Sequence, residues 1–398
     1  MDCLHINLNS NFEIMENCLE ERLLQEFGPN AENTELRVRV FRFIEKVILS
    51  AFPSVRVAGY GSFPLKTFLR TGDIDITIIP ETIPFMDMQN CMLARLKDEF
   101  EKFSSEDSEM KILEISTINA QVPLLKLKIN SISADISVSQ LQGIHTVCLF
   151  EELSSHFPSN LLKRSIILIK IWASHFGRIQ GATYGGFSTY ALEILVLFIL
   201  NTHQRLTTPI SVLKTFISFF GTFDWTQNVI TVHKILSLSE YVSIISHKTK
   251  YTMAQTHIPI QYYSNLVCRL GGNPDLTLMQ LKSANIVDPL NPSNNLARNV
   301  SQFSLERIKQ VFVISAEILE NKGIFSLFPN TSTEPYSQII IENARILPPP
   351  FSVKKENQQG KLNNQEIFKG SYKKRQENFR RNFRVLLENT EKGRIKVK

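Results

Sequence analysis

The sequence predicts an α/β unit with a mixed or antiparallel sheet, then a mainly α-helical domain and a basic tail. Three observations predict it. Strand patterns of period two cluster between residues 55 and 138, apolar residues spaced three or four apart dominate from about residue 160, and Lys and Arg concentrate beyond a triple proline at 348–350. With 398 residues the chain has room for two domains and a tail, at roughly 100–200 residues per domain. Hydrophobic residues make up 43% and charged residues 21%, which excludes wholesale disorder and a coiled coil.

Taken in order, residues 11–51 read as helical, with Leu36, Val40, Phe43, Ile44 and Val47 on one stripe and Pro53 ending it. A short strand at 55–58 runs into Gly59-Tyr60-Gly61-Ser62. Residues 73–79 alternate and stop at Pro80. Residues 86–103 look helical, and 111–118, 122–129 and 133–138 read as three more strands, the last two joined by a hairpin at Asn130-Ser131. Helices follow at 161–176, 188–202, 210–220 and 305–321. Residues 354–371 are polar and rich in Gln and Asn, as in a flexible linker, and 371–391 can form a basic helix. The expected division is an N-terminal helical segment at 1–53, an α/β domain at 54–155, a helical domain at 156–345 and a tail at 346–398.

Net charge is +6, but residues 351–398 hold 14 Lys and Arg against 5 Glu, so the tail is +9 and the body −3. A polyanion would meet the body at a local site and not in a general positive field. Cys3, Cys18, Cys91, Cys148 and Cys268 include no Cys-x-x-Cys pair, which disfavours a disulfide framework or structural zinc. The longest apolar stretch, 190–200, contains Glu193 and is too short to cross a bilayer, where about 20 residues are needed. No basic segment followed by an apolar core marks the N-terminus. No membrane partner is expected, and the expected location is nuclear or cytoplasmic.

Chemistry concentrates in Gly61-Ser62, then Asp73-Ile74-Asp75, then Asp135. Asp73 and Asp75 lie two apart on a strand and share a face. Asp135 occurs in a later strand, and three clustered carboxylates would repel unless cations bind. Hard oxygen ligands suit Mg²⁺ or Mn²⁺. Two such ions can activate an attacking hydroxyl and stabilise a leaving pyrophosphate. Gly61-Ser62 lets backbone N–H groups and a hydroxyl approach a phosphate. An Asp-x-Asp or a Gly-Ser alone is weak; the ordered set in strand context is specific.

These residues, from Gly61-Ser62-Phe63-Pro64-Leu65-Lys66 through Gly72-Asp73-Ile74-Asp75, resemble the signature of the DNA polymerase β-like nucleotidyltransferases. The likeness is to noncanonical poly(A) polymerases and terminal uridylyltransferases, in a plant and protist branch with a PAP/25A-associated domain. It continues through Asp135-Ile136-Ser137, residues 163–170, residues 188–193 and 288–298, about two-thirds of the chain. The resemblance implies an α/β nucleotidyltransferase domain and a helical PAP/25A-associated domain flanking a cleft for NTP and an RNA 3′ end. Asp73 and Asp75 would hold both metals, and Asp135 would bind the catalytic metal and help deprotonate the primer hydroxyl. Ser62 would touch the triphosphate, and Lys170 would grip its phosphates; the plain alternative for Lys170 is a lysine snorkelling from a buried helix. Ser188 and Thr189 would open a helix towards an anion. Tyr190 would stack on the base, where a lone Tyr in an apolar run is otherwise core.

The stretch Asp288-Pro289 to Asn294, Asn295 and Arg298 is similar to the family's nucleotide-recognition motif. The uridylyl-transferring branch commonly has His at the position of Asn294. The shorter Asn leaves room for a purine, which implies ATP over UTP; the bland alternative is an Asn that stabilises a turn. Three positions depart from the family: Ser174 where a second lysine is frequent, Lys66 for Gly and Arg70 for Pro. In the tail, Lys373, Lys374, Arg375, Arg380, Arg381 and Arg384 interleave with Tyr372, Phe379 and Phe383. That pattern suits RNA phosphates and bases, or equally a nuclear-localisation patch or solvated basic helix. With no RNA-recognition module legible, a partner protein is expected to choose targets. The expected function is template-independent addition of nucleotides, AMP foremost, to RNA 3′ ends. A uridylyltransferase and an inactive RNA-binding scaffold remain the alternatives.

Overall fold

Two large apolar cores organise the described residues, one under a five-stranded sheet and one inside a helical bundle, and a smaller third cluster gathers Val229, Leu236, Tyr241, Met279 and Val287. A computed structural model describes residues 2–82, 86–103, 109–120, 122–181, 185–203, 205–247 and 256–328. The run read as one helix is two: α1 (Asp2–Phe27) and α2 (Ala31–Ala51). Pro29 has no N–H to continue the first. Asn30 caps the second, its Oδ1 accepting the Asn33 N–H at 2.7 Å. The two helices also part company in packing. Leu19 and Leu23 of α1 join the helical core, whereas Val40, Ile44, Val47 and Ile48 of α2 join the sheet core. Arg70, a departure from the family pattern, closes the end of α1: its N–H donates to Phe27 O at 2.9 Å and its guanidinium to the carbonyls of Gln25 and Gly28.

The sheet comprises β1 (Arg56–Tyr60), β2 (Ile74–Ile79), β3 (Ile112–Ile118), β4 (Leu124–Ile129) and β5 (Ile132–Val138), in the order β1-β2-β5-β4-β3. Only the central β2–β5 pair is parallel. A short α3 (Ser62–Leu65) follows β1, and α4 (Met86–Phe103), placed where its periodicity predicts, packs Leu93, Leu96 and Phe100 into the sheet core. Asn130, at φ 53°, makes the tight β4–β5 hairpin.

The helical body comprises α5 (Leu141–Ser154), α6 (Leu161–Ile171), α7 (Thr189–Thr202), α8 (Pro209–Thr222), α9 (Leu238–His247), α10 (Ile260–Arg269) and α11 (Gln302–Lys322). Every residue of α7 from Ala191 to Asn201 is buried, so its sequence shows no polar face. The pattern read as helix to residue 176 is α-helical only to Ile171; residues Trp172–Phe176 form a π turn. Three strands of two or three residues, β6 (Asn228–Ile230), β7 (Ile235–Ser237) and β8 (Asn285–Ile286), make a small sheet that the sequence does not reveal. The basic tail lies outside the described residues. No helix among the described residues is long and apolar enough to cross a membrane.

Candidate active site

The β2–β5 register assembles the acidic cluster. Asp75 and Asp135 are direct partners across the parallel pair, although sixty residues separate them in sequence. Asp73 immediately precedes β2, and the three side chains each place an oxygen within 4.8 Å of the others. Asp135 is buried and Asp75 half-buried. Burial, with the charges of Asp73 and Asp135, pushes the Asp75 carboxyl up to about 7. Burial raises Asp135 too, opposed by the Lys126 ammonium.

Gly61 makes this closeness possible. It sits at φ 69°, and a Cβ there would lie 2.6 Å from Asp75 Oδ2. Ser62 begins α3 directly after it. Three converging carboxylates beside a glycine cradle, with Lys126 paired to Asp135, are a hard-oxygen donor set that carries net negative charge, which fits a divalent cation such as Mg²⁺.

Three neighbours escaped the sequence reading. Arg37 of α2 is fully buried. Its guanidinium donates to the carbonyls of Gly72 at 2.7 Å, Arg70 at 3.1 Å, Asp73 at 3.3 Å and Leu69 at 3.4 Å, and lies 4.5 Å over the Phe68 ring. It therefore fixes the loop that delivers Asp73. The signal was a charge on the apolar stripe of α2, three residues before Val40. Lys126 faces Asp135 across β4–β5; counting back equally from the two-residue hairpin would have paired them. Gln142 of α5 donates from Nε2 to Asp288 Oδ2 at 3.0 Å, a tertiary contact without a sequence signal.

Lys170 turns inward. It is 4% exposed and its Nζ donates to Thr67 O at 2.8 Å, bracing the loop between α3 and Asp73. Burial lowers its pKa, against the attraction of Glu193, Asp73 and Asp75. Glu193, likewise buried, is pushed up to about 7 by desolvation, with Lys170 pulling the other way. Ser174 donates to the Lys170 carbonyl at 2.6 Å. Ser188 caps α7, accepting the Ala191 N–H at 3.1 Å, and Thr189 Oγ1 accepts from Gln180 Nε2 at 3.0 Å.

A second cluster centres on Asp288, which is fully buried. Its carboxylate accepts from Tyr190 OH at 3.0 Å, Asn294 Nδ2 at 2.9 Å, Gln142 Nε2 at 3.0 Å and the N–H groups of Leu290 and Asn291. Burial and this carboxylate hold the Tyr190 phenol well above its ordinary pKa. Asn295 is also buried; its Oδ1 accepts from Ile286 and Ala297 N–H, and its Nδ2 donates to Ala284 O and Asn285 Oδ1. Both residues spend their bonding capacity inside the loop. Asn294 is half-buried and Arg298 exposed, and the two are joined by an Arg298 Nη1 to Asn294 Oδ1 bond of 2.8 Å; Asn291 and Ser293 of the same stretch are exposed as well.

Comparison with known proteins agrees with this two-part arrangement. Residues 19–153 match the family described as the central palm domain of mitochondrial-like poly(A) RNA polymerases, and residues 158–333 match the PAP/OAS1 substrate-binding domain. The chain is 28% identical over 185 residues to poly(A) RNA polymerase cid14 of Schizosaccharomyces pombe, covering 45% of this chain but only 25% of that protein's length. Its fold is similar to the polymerase core of TRAMP, an RNA surveillance complex, with a TM-score of 0.58 at 18% identity over 81% of this chain and 92% of that one. It is similar also to the Cid1 poly(U) polymerase solved with MgGTP, with a TM-score of 0.57 at 18% identity over 78% of this chain and 97% of that one. With Asp75 and Asp135 paired across parallel strands, Asp73 just before them, and a substrate-binding domain following the palm, the chain belongs to the noncanonical poly(A) RNA polymerase family, nucleotidyltransferases of the DNA polymerase β-like fold.

Proposed function

We propose that this chain transfers nucleoside monophosphates, AMP by preference, from NTP to the 3′ hydroxyl of RNA without a template. The observation that carries the reading is the Asp75–Asp135 register with Asp73 beside it. Asp73 and Asp75 would hold Mg²⁺ or Mn²⁺, two ions in all, and Asp135 would hold the catalytic one. When bound, such ions supply Lewis-acid activation of the primer hydroxyl and neutralise charge at the pyrophosphate. Asp135, made more basic by burial, takes the hydroxyl proton as the O3′–Pα bond forms and the Pα–O bond to pyrophosphate breaks. Gly61 and Ser62 lie against the triphosphate, and Lys170 adds positive charge close to it. Ser188 and Thr189 place the α7 N-terminus towards the same anion.

Tyr190, Asn294 and Arg298 meet the base and ribose, while Asp288 and Asn295 act by holding them. Asn294 is fixed at both ends by Asp288 and Arg298, with one N–H and one lone pair to spare, a pairing that suits adenine. Side-by-side incorporation on labelled oligo(A) with each NTP tests this. Wild type is expected to favour ATP, and Asn294→His to shift towards UTP by ~1–3 kcal/mol. Faster addition of U by the wild type would overturn the base assignment, and no addition with any NTP would favour a scaffold.

Lys373, Lys374, Arg375, Arg380, Arg381 and Arg384, outside the described residues, are proposed to contact RNA phosphates. Removing residues 351–398 is then expected to weaken RNA binding and flatten its salt dependence while leaving NTP affinity unchanged. An unaltered salt slope would assign the tail another task. A separate RNA-binding protein that selects targets, and nuclear or cytoplasmic residence, belong to the same reading.

A further inference from the structure

Asp135 already holds a cation. The Lys126 ammonium lies 2.9 Å from its Oδ1 and 2.7 Å from its Oδ2, so one lysine claims both oxygens. The pairing is built into the sheet, because the two residues are direct partners across β4–β5. Two residues along the same face, Lys128 pairs instead with Glu114 at 3.5 Å. The Lys126 side chain is 41% exposed against 12% for Asp135. The lysine thus has water to swing into, whereas the carboxylate does not.

We propose that Lys126 competes with the divalent ion for Asp135 and releases this carboxylate when a polyanionic substrate draws the ammonium away. The proposal rests on the metal-dependent reading above. Mg²⁺ sits about 2.0–2.1 Å from its oxygen ligands. An ion on either Asp135 oxygen would therefore lie within about 5 Å of an ammonium left in place, and the two positive charges repel. A compact ammonium on a flexible four-carbon stem can leave, and phosphate oxygens offer it new acceptors. Loading of the ion is thereby coupled to arrival of the triphosphate or RNA. Lys126 is a positioning residue here: it acts through Asp135.

Mn²⁺ binding to the full chain, followed by the EPR signal of the free ion, tests this without turnover. In the absence of nucleotide, Lys126→Met is expected to bind Mn²⁺ at least about tenfold more tightly than wild type, and Lys128→Met to match wild type. With a non-hydrolysable ATP analogue present, the gap between Lys126→Met and wild type is expected to close. Should Lys126→Met melt early, Lys126→Gln replaces it in the same titration. Equal or weaker Mn²⁺ binding by the Lys126 variants overturns the competition. Equal tightening in Lys128→Met also overturns it, because the effect would then be general surface charge. Failure of every protein to bind Mn²⁺ sinks the metal-site reading beneath it, a distinguishable result that removes the proposal as well.

Discussion

Asp75→Asn is expected to abolish nucleotide addition and, in the same protein stripped of divalent ions, to raise the melting temperature at pH 8. If Asp75 holds metal as proposed, its loss removes several kcal/mol of transition-state stabilisation, roughly 10³-fold or more in rate. The gain in stability follows first from relieving the burial of a charged carboxylate and then from removing its repulsion with Asp73 and Asp135. Asp75 titrates at about 7 in the fold against an ordinary value of 3.8, so the native state holds its proton more tightly than the unfolded chain does. Stability tied to this group is therefore present in acid and lost as pH rises from about 4 through 7. At pH 8 the full penalty operates and Asn relieves it; at pH 5 the carboxyl is already protonated and Asn changes little. Melting in EDTA at the two pH values, beside primer extension with Mg²⁺, checks both halves. A variant that extends primers normally, or melts lower than wild type at pH 8, would contradict the crowded-carboxylate description.

Arg37→Ala is expected to cost about 3–5 kcal/mol of stability and to weaken Mn²⁺ binding in whatever fraction remains folded. The guanidinium serves four carbonyls between Leu69 and Asp73, and its removal takes that donor from all of them, the Leu69 carbonyl keeping the Gly72 N–H at 2.8 Å. Arg37→Lys separates the two effects. It keeps the charge but lacks the planar fork that reaches several carbonyls at once. Lysine should therefore restore much of the stability while Asp73 stays loosely held and Mn²⁺ affinity stays low. Urea midpoints and Mn²⁺ titrations on both variants decide; wild-type Mn²⁺ affinity in Arg37→Lys would show that the clamp has no bearing on the site.

How far the sequence carried this picture depended on range. Period-two alternation located β2, β4 and β5, and with them Asp75 and Asp135, because one pleated face must be buried whatever its neighbours. The helix at Met86–Phe103 was legible for the same local reason. Residues 11–51 looked continuous because apolar spacing persists across Gly28-Pro29-Asn30, where proline chemistry outweighs periodicity. The strands near residues 229, 236 and 285 are too short to show a period. What stayed illegible was the direction in which polar groups face. Lys170 reads as a phosphate ligand, yet its ammonium meets the Thr67 carbonyl. Asp288 and Asn295 read alongside Asn294, yet only tertiary packing shows that they are saturated from within.

The central parallel pair has a consequence for the order of events in folding. Bringing Asp75 beside Asp135 closes a loop of sixty residues that contains α4 and the β3–β4 pair. Such closure is costly and slow compared with the local β4–β5 hairpin. The hairpin joins Lys126 to Asp135 across only nine residues, so the lysine can reach that carboxylate well before the other two aspartates arrive. The chain thus carries its own counter-ion through the step that crowds three negative charges together. A divalent ion held as proposed would find a complete site only after that step, so it would retard unfolding and not hasten collapse.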